Sequence, residues 1–350
     1  YNTFVGSDAG KGGTTSAPYS SGQYNTALGY RALTGLTTGN YNVVLGGDAG
    51  FDHTTGQYNV FVGYRAGFEN TSGEANTFIG KEAGKNIVGD VHYNVAVGTA
   101  ALSNVATQPG TTAIGYQALS MLTSGAGNIA IGYRAMWEHT TGGYNIAIGY
   151  GAMDDTNAGS TSLSSANNMF IGRNAGGGTW ADAASSYNIG IGNNVLDSAL
   201  NGALNNTAIG YYALSSVTTA DNNVALGSNA LSALTTGASN IAIGESAMYV
   251  HTTGTRNIAI GFAAMDNTDA GSTSLGSVDN IFMGYDAGGG TWTDVASTQN
   301  IAIGNYTMDA ALDGANYSVA VGHNALTALT TGDSNVAIGE NAGGALTTGR

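Results

Sequence analysis

The chain has 350 residues, a formal net charge of −14, 56 glycines and no cysteine. Only 9% of its residues are charged, against about a quarter in an ordinary globular protein, and the supply of β-branched residues excludes the composition of a disordered chain. Nine scattered basic residues exclude a nucleic-acid or anionic-membrane surface, the absence of cysteine excludes disulfides and thiolate metal sites, and no run approaches the roughly 18 apolar residues of a membrane-spanning helix.

From its first residues the chain repeats one stretch, typified by Asn128-Ile129-Ala130-Ile131-Gly132-Tyr133-Arg134-Ala135-Met136. Residues 1–110 hold copies at Asn2, Asn25, Asn42, Asn59, Asn76 and Asn94, with loose spacing. From Thr111 the spacings run 17, 17, 23, 20, 18 and 17 residues and then recur, so 111–222 matches 223–334 at an offset of 112. Asn335 opens a further block, and the nineteenth copy, over 335–350. A fixed period of this length predicts one elongated repeat domain over 1–350, an all-β parallel β-solenoid or β-roll with about one coil per copy. Stacked at roughly 4.8 Å per coil it would extend about 90 Å. Both chain ends fall at repeat boundaries, so the chain is expected to be a slice of a longer fibre whose leader, anchor and tip lie outside it.

Each copy begins with a polar residue, Asn in all but Thr111 and Ser318, then mostly alternates Ile/Val/Thr, Ala/Phe and Ile/Val/Leu before a Gly that every copy retains. This predicts a short strand ended by a turn, with the Gly (Gly132, Gly149, Gly244 and Gly261 among them) needed for positive φ or close backbone approach. Thr-Thr-Gly, as at Thr140-Thr141-Gly142, marks a second turn. The Asn side chains, including Asn128, Asn145, Asn240 and Asn257, are predicted to form a coil-to-coil amide ladder.

Two positions trade volume. Phe61, Phe78 and Phe282 accompany Gly67, Gly84 and Gly288, whereas Ala130 and Ala242 accompany Met136 and Met248. Reciprocal volumes predict two side chains sharing one interior space. The flanking strand positions, such as Ile129 and Ile131, point the other way and are also apolar. A strand apolar on both faces needs cover on both. Self-association around a common axis would supply it, and so would a flattened single-chain coil that sandwiches the strand.

The runs Asn128–Ala135 and Asn240–Ala247 resemble the head repeats of trimeric autotransporter adhesins and the shaft repeats of phage tail fibres. The resemblance covers essentially the whole chain. It implies a homotrimeric, extracellular, cell-surface or virion-borne module that serves as a stalk or an adhesive head.

Candidate chemistry is sparse. The histidines His53, His92, His139, His251 and His323 do not cluster at metal spacing, and His53, His139 and His251, each before Thr-Thr-Gly, are expected on the surface of one edge. No nucleophile elbow or phosphate loop is present, so no catalysis and no cofactor are expected. Calcium is the best metal candidate, at Asp154, Asp155, Asn157, Asp266 and Asp269, although these are also ordinary turn residues. Tyr133, Trp180 and Trp292 are candidate contacts for surface glycans or a host receptor, with coil-to-coil packing as the plainer role for the tyrosine. Asn70, Asn205, Asn305 and Asn316 head glycosylation triplets. The leading expectation is a stiff structural fibre or filament; the alternative is an adhesive head that binds through inserted loops.

Overall fold

The computed structural model describes residues 1–12, 21–104, 109–156, 164–180, 183–268, 276–292 and 295–349. The chain is an all-β parallel solenoid with nineteen three-residue strands, from β1 (Thr3–Val5) to β19 (Val336–Ile338), and no helix among the described residues. It gathers into two compact units, Tyr1–Arg173 with Ala181–Ala184 and Asn174–Trp180 with Ser185–Arg350. The first carries β1 to β10 (Met169–Ile171) and the second β11 (Ile189–Ile191) to β19. The division falls inside the 111–222 block rather than at the point of duplication.

Within each unit every strand pairs with its successor in the same register. In the first, β8 (Ile129–Ile131) meets β9 (Ile146–Ile148) as Ile129 to Ile146, Ala130 to Ala147 and Ile131 to Ile148. In the second, β14 (Ile241–Ile243) meets β15 (Ile258–Ile260) in the same way. The ladder continues beyond the strands. Met136 N donates to Ala152 O at 2.9 Å and Thr123 N to Thr140 O at 2.8 Å, so the turns are also tied coil to coil.

The strands are short because the sequence turns the backbone sharply after three residues. Gly132 sits at φ 137°, and a Cβ there would lie 2.2 Å from the carbonyl oxygen of Gly149 on the next coil. Both expected reasons for the Gly therefore hold, the conformation and the close approach. Further corners use left-handed residues: Arg134 (φ 54°) and Met136 (φ 52°) after the strand, and Tyr144 (φ 58°) before the next Asn. Each such residue costs about 1–2 kcal/mol, while burying a Met or Leu side chain contributes about 1.5–3 kcal/mol. At Met136, which is fully buried, burial outweighs the strain.

The interior is built as the volumes predicted. A Cβ on Gly67 would lie 2.9 Å from the Phe61 ring, one on Gly84 2.6 Å from Phe78, and one on Gly288 2.5 Å from Phe282. Ala130, Ala135 and Met136 fill the same interior where the strand residue is small. The outer strand face is different. Ile129, Ile131, Ile146 and Ile148 are only half-buried, and Leu28, Val43, Ile209 and Leu226 are exposed. Among the described residues no second layer covers this face, so they do not form the single-chain sandwich.

Ala130→Phe with Met136 retained is expected to overpack the coil and cost about 1–3 kcal/mol. Adding Met136→Gly should recover most of that loss, because Gly both vacates the space and accepts φ 52° without strain. Urea-unfolding midpoints of the parent, single and double variants check this; a double variant no more stable than the single one would refute the shared-space geometry.

Candidate functional site

The internal asparagines form the most regular side-chain array. Asn145 Nδ2 donates to Asn128 Oδ1 on the preceding coil at 3.2 Å and to Ser165 O at the following turn at 3.0 Å. Its Oδ1 accepts from Asn168 N at 3.0 Å and Asn168 Nδ2 at 3.1 Å. Asn240 and Asn257 repeat the arrangement in the second unit, with Asn257 Nδ2 3.2 Å from Asn240 Oδ1 and 2.9 Å from Ser277 O. All are buried. Such an amide has its donors and acceptor satisfied by protein, which assigns these residues to the scaffold.

The histidines expected at the surface are inside. His53, His139 and His251 are buried, because their column lies on the interior side of the second turn, where other coils place Leu36, Leu122 and Leu234. The polar ring is accommodated by a partner in the next coil. His139 Nδ1 meets Thr156 Oγ1 at 2.8 Å and its Nε2 meets Gly142 O at 3.0 Å, so Nε2 carries the proton. His251 Nδ1 meets Thr268 Oγ1 at 2.8 Å. His53 Nδ1 faces the Asn70 carbonyl oxygen at 2.8 Å. Thr156, Thr268 and Asn70 each stand 17 residues after their His, a pairing that was readable in the period. Burial lowers the pKa of His53 and of His139 below 6.5, although the backbone hydrogen bonds pull upward.

Trp180 and Trp292 are also corrected. Both are 0% exposed and so make no contact with an external glycan. Trp180 Nε1 donates to Gly176 O at 3.1 Å, and Trp292 packs edge-on against Phe282 with centroids 5.6 Å apart. They fill the interior of the 20-residue coils. Tyr133 is 40% exposed, but both ring faces are taken, by Tyr116 at 5.3 Å and Tyr150 at 4.9 Å. Only its edge and hydroxyl meet solvent, as the packing role predicts.

Of the calcium candidates, Asn157 and Asp269 lie outside the described residues. Burial raises the Asp154 carboxyl above its ordinary range, with Asp155 adding to the effect. Asp266 is brought toward Asp286 and Asp309, two acids the sequence reading did not single out. Burial and then the neighbouring Asp286 carboxylate hold Asp266 and Asp309 each up to about 6. Among the described residues no three His, Cys, Asp or Glu side chains are placed to hold a metal ion. The sequence reading also missed an alternating charge column, in which Arg31 Nε and Arg65 Nε flank the buried Asp48 at 2.8 and 3.7 Å. Of the glycosylation candidates, Asn70 is buried beneath His53 and inaccessible; Asn205 and Asn305 are exposed, and Asn316 is half-buried with Oδ1 accepting from Thr298 N at 2.8 Å.

No family model matches the sequence, and a comparison with curated proteins finds no match.

Asn145→Ala would leave Ser165 O and the Asn168 N–H without their partners and is expected to cost about 2–4 kcal/mol, read as a lowered unfolding midpoint. The histidines set a pH dependence. His53 and His139 are neutral in the fold and gain a proton on unfolding, so their contribution is complete above about pH 6.5 and declines as pH falls below it. Asp266 and Asp309 act in the opposite sense, since their raised pKa makes the folded chain bind protons first on acidification. Between pH 7.5 and 5.5 the parent should therefore lose more stability than a His53→Leu, His139→Leu variant. Equal pH dependence of the two would rule out neutral buried histidines.

Proposed function

We propose that this chain is a structural fibre segment, extracellular or virion-borne, that self-associates as a homotrimer through its outer strand face. The observation that carries this reading is the composition of that face. Across nineteen strands the two outward positions hold only Thr, Val, Leu, Ile and Met, and never a charge. Rows such as Ile129–Ile146 and Ile131–Ile148 stack along each unit and remain half-buried or exposed in the single chain. A continuous apolar strip of this kind marks an association surface. The resemblance of Asn128–Ala135 to adhesin-head and tail-fibre repeats points the same way and suggests threefold symmetry.

In this reading the mechanism is mechanical. In-register backbone bonds and the asparagine ladder resist bending and shear, and association of the apolar strips stiffens the rod, which holds a distal element away from a surface. No catalysis and no cofactor are invoked. The His53 and His139 nitrogens are engaged by oxygens of their own and the next coil, which leaves neither ring available as a general base.

Light scattering should give the parent three times the 35.1 kDa mass of the chain. Ile129→Lys with Ile146→Lys places two charges on the strip without touching the interior, and should shift the mass toward a single chain with the β circular-dichroism signal kept. A single-chain mass for the parent would overturn the trimer, and an unaltered trimer in the lysine variant would move the interface off this face.

A further inference from the structure

On the surface of the second unit, three successive coils line an open cleft of about 580 Å³, within the range of small-molecule sites. One wall is Tyr211 and Tyr212; the other, two coils on, includes Tyr249. Ser215 lies on the first wall's coil and Asn229 and Ser232 on the coil between, and every lining residue is Tyr, Ser, Asn, Ala or Val. None carries a charge.

Two columns shape the cleft. Five residues after the strand Gly, Phe51, Phe68 and Trp137 place large rings in other coils, and those rings are covered. Phe51 and Phe68 stack at 5.2 Å, the Arg31 guanidinium lies 4.5 Å over Phe51, and that of Arg134 lies 4.3 Å over Trp137. In the cleft this column reads Ser215, Ser232, Tyr249, and the arginine column reads Tyr212, Asn229, Ser246. Tyr249, 45% exposed, therefore turns toward a coil with small side chains and no guanidinium to cap it. Tyr211 and Tyr212 meet edge-on with centroids 4.3 Å apart, which fixes the opposite wall. The duplicated blocks do not reproduce the cleft: the counterparts of Tyr211 and Tyr212 are His323 and Asn324, and that of Tyr249 is Trp137 beside Arg134.

Two coil rises separate the walls, about 10 Å. A ring held at van der Waals distance on both sides needs roughly 7–8 Å, so one six-membered ring fits. The hydrogen-bonding groups define which kind. Ser215 Oγ donates to Ser232 O at 3.2 Å and Ser232 Oγ to Tyr249 O at 3.3 Å. With those protons committed, both hydroxyl oxygens offer lone pairs to the cleft, while the Asn229 amide and the tyrosine hydroxyls offer donors as well as acceptors. A ligand for this lining has an apolar C–H face for an aromatic ring, whose face is electron-rich, and a rim of hydroxyls that both donate and accept. The chain's net charge of −14 disfavours carboxylated or sulfated ligands.

We propose that this cleft binds a neutral saccharide, with one uncharged pyranose ring stacked on Tyr249 and its hydroxyls on Ser215, Ser232 and Asn229. The site belongs to one chain and does not depend on the fibre reading.

Saturation-transfer NMR on the whole chain would use lactose, maltotriose, cellotriose and triacetylchitotriose as neutral probes, with sialyllactose as the charged comparator. At least one neutral probe should bind saturably and more tightly than sialyllactose. Tyr249→Ser, a residue the same column already carries at Ser215 and Ser232, should weaken that binding at least about tenfold with an unchanged unfolding midpoint. Tyr133→Ala, outside the cleft, should leave it unaltered. Absence of binding by every neutral probe, stronger binding of sialyllactose, or full affinity in Tyr249→Ser would each overturn the proposal.

Discussion

In most coils one buried carboxamide sets the height and register of the next. Because Asn145 both donates to Asn128 and accepts from Asn168, a shifted coil would leave buried donors and acceptors unpaired, at about 1–3 kcal/mol each. The strand glycine makes the spacing attainable, since a Cβ at Gly132 would strike the Gly149 carbonyl oxygen. Ladder and glycine together turn each position of the repeat into a column along the unit.

Columns explain how so little charge can still give a specific structure. Like rings stack on like, as in Tyr1, Tyr24, Tyr41 and Tyr58, whose centroids are 5.0–5.1 Å apart. Unlike charges alternate, as in Arg31, Asp48 and Arg65. A buried His is accommodated when the next member of its column is Thr156, Thr268 or Asn70. Wherever a column runs without interruption, its ring faces are occupied by neighbours, and the surface offers edges rather than platforms. Tyr133 is such a case. A platform arises where a ring follows small residues in its column, as Tyr249 follows Ser215 and Ser232.

The same geometry separates two kinds of surface. The outer strand face is uniform and apolar along each unit, which suits association with a repeating partner such as another copy. The residues after the strand Gly vary coil by coil, and that is where local chemistry can differ without disturbing the ladder. Strained corners are tolerated where the left-handed residue is tied to the neighbouring coil, as Arg134 N is to Tyr116 O at 2.9 Å.

The sequence by itself determined the coil, its register and much of its interior. A period near 17, an unvarying Gly and the reciprocal sizes of Phe61 with Gly67 and Ala130 with Met136 are local patterns, and stacking copies of one pattern leaves little choice of fold. Tertiary structure decided which side of the coil each turn residue faces. His53, His139, Trp180 and Trp292 look like surface residues by type and by neighbouring turn signals, yet the chain curls inward after its left-handed corners and places them where Leu36 and Leu122 lie in other coils. It also decided which acids meet, joining Asp266 with Asp286 and Asp309 across coils, and where a ring is left uncovered. These are properties of columns, and a column's occupants are 17 or more residues apart in sequence, so the exact insert lengths and the direction of each corner had to be realised in space before they became neighbours.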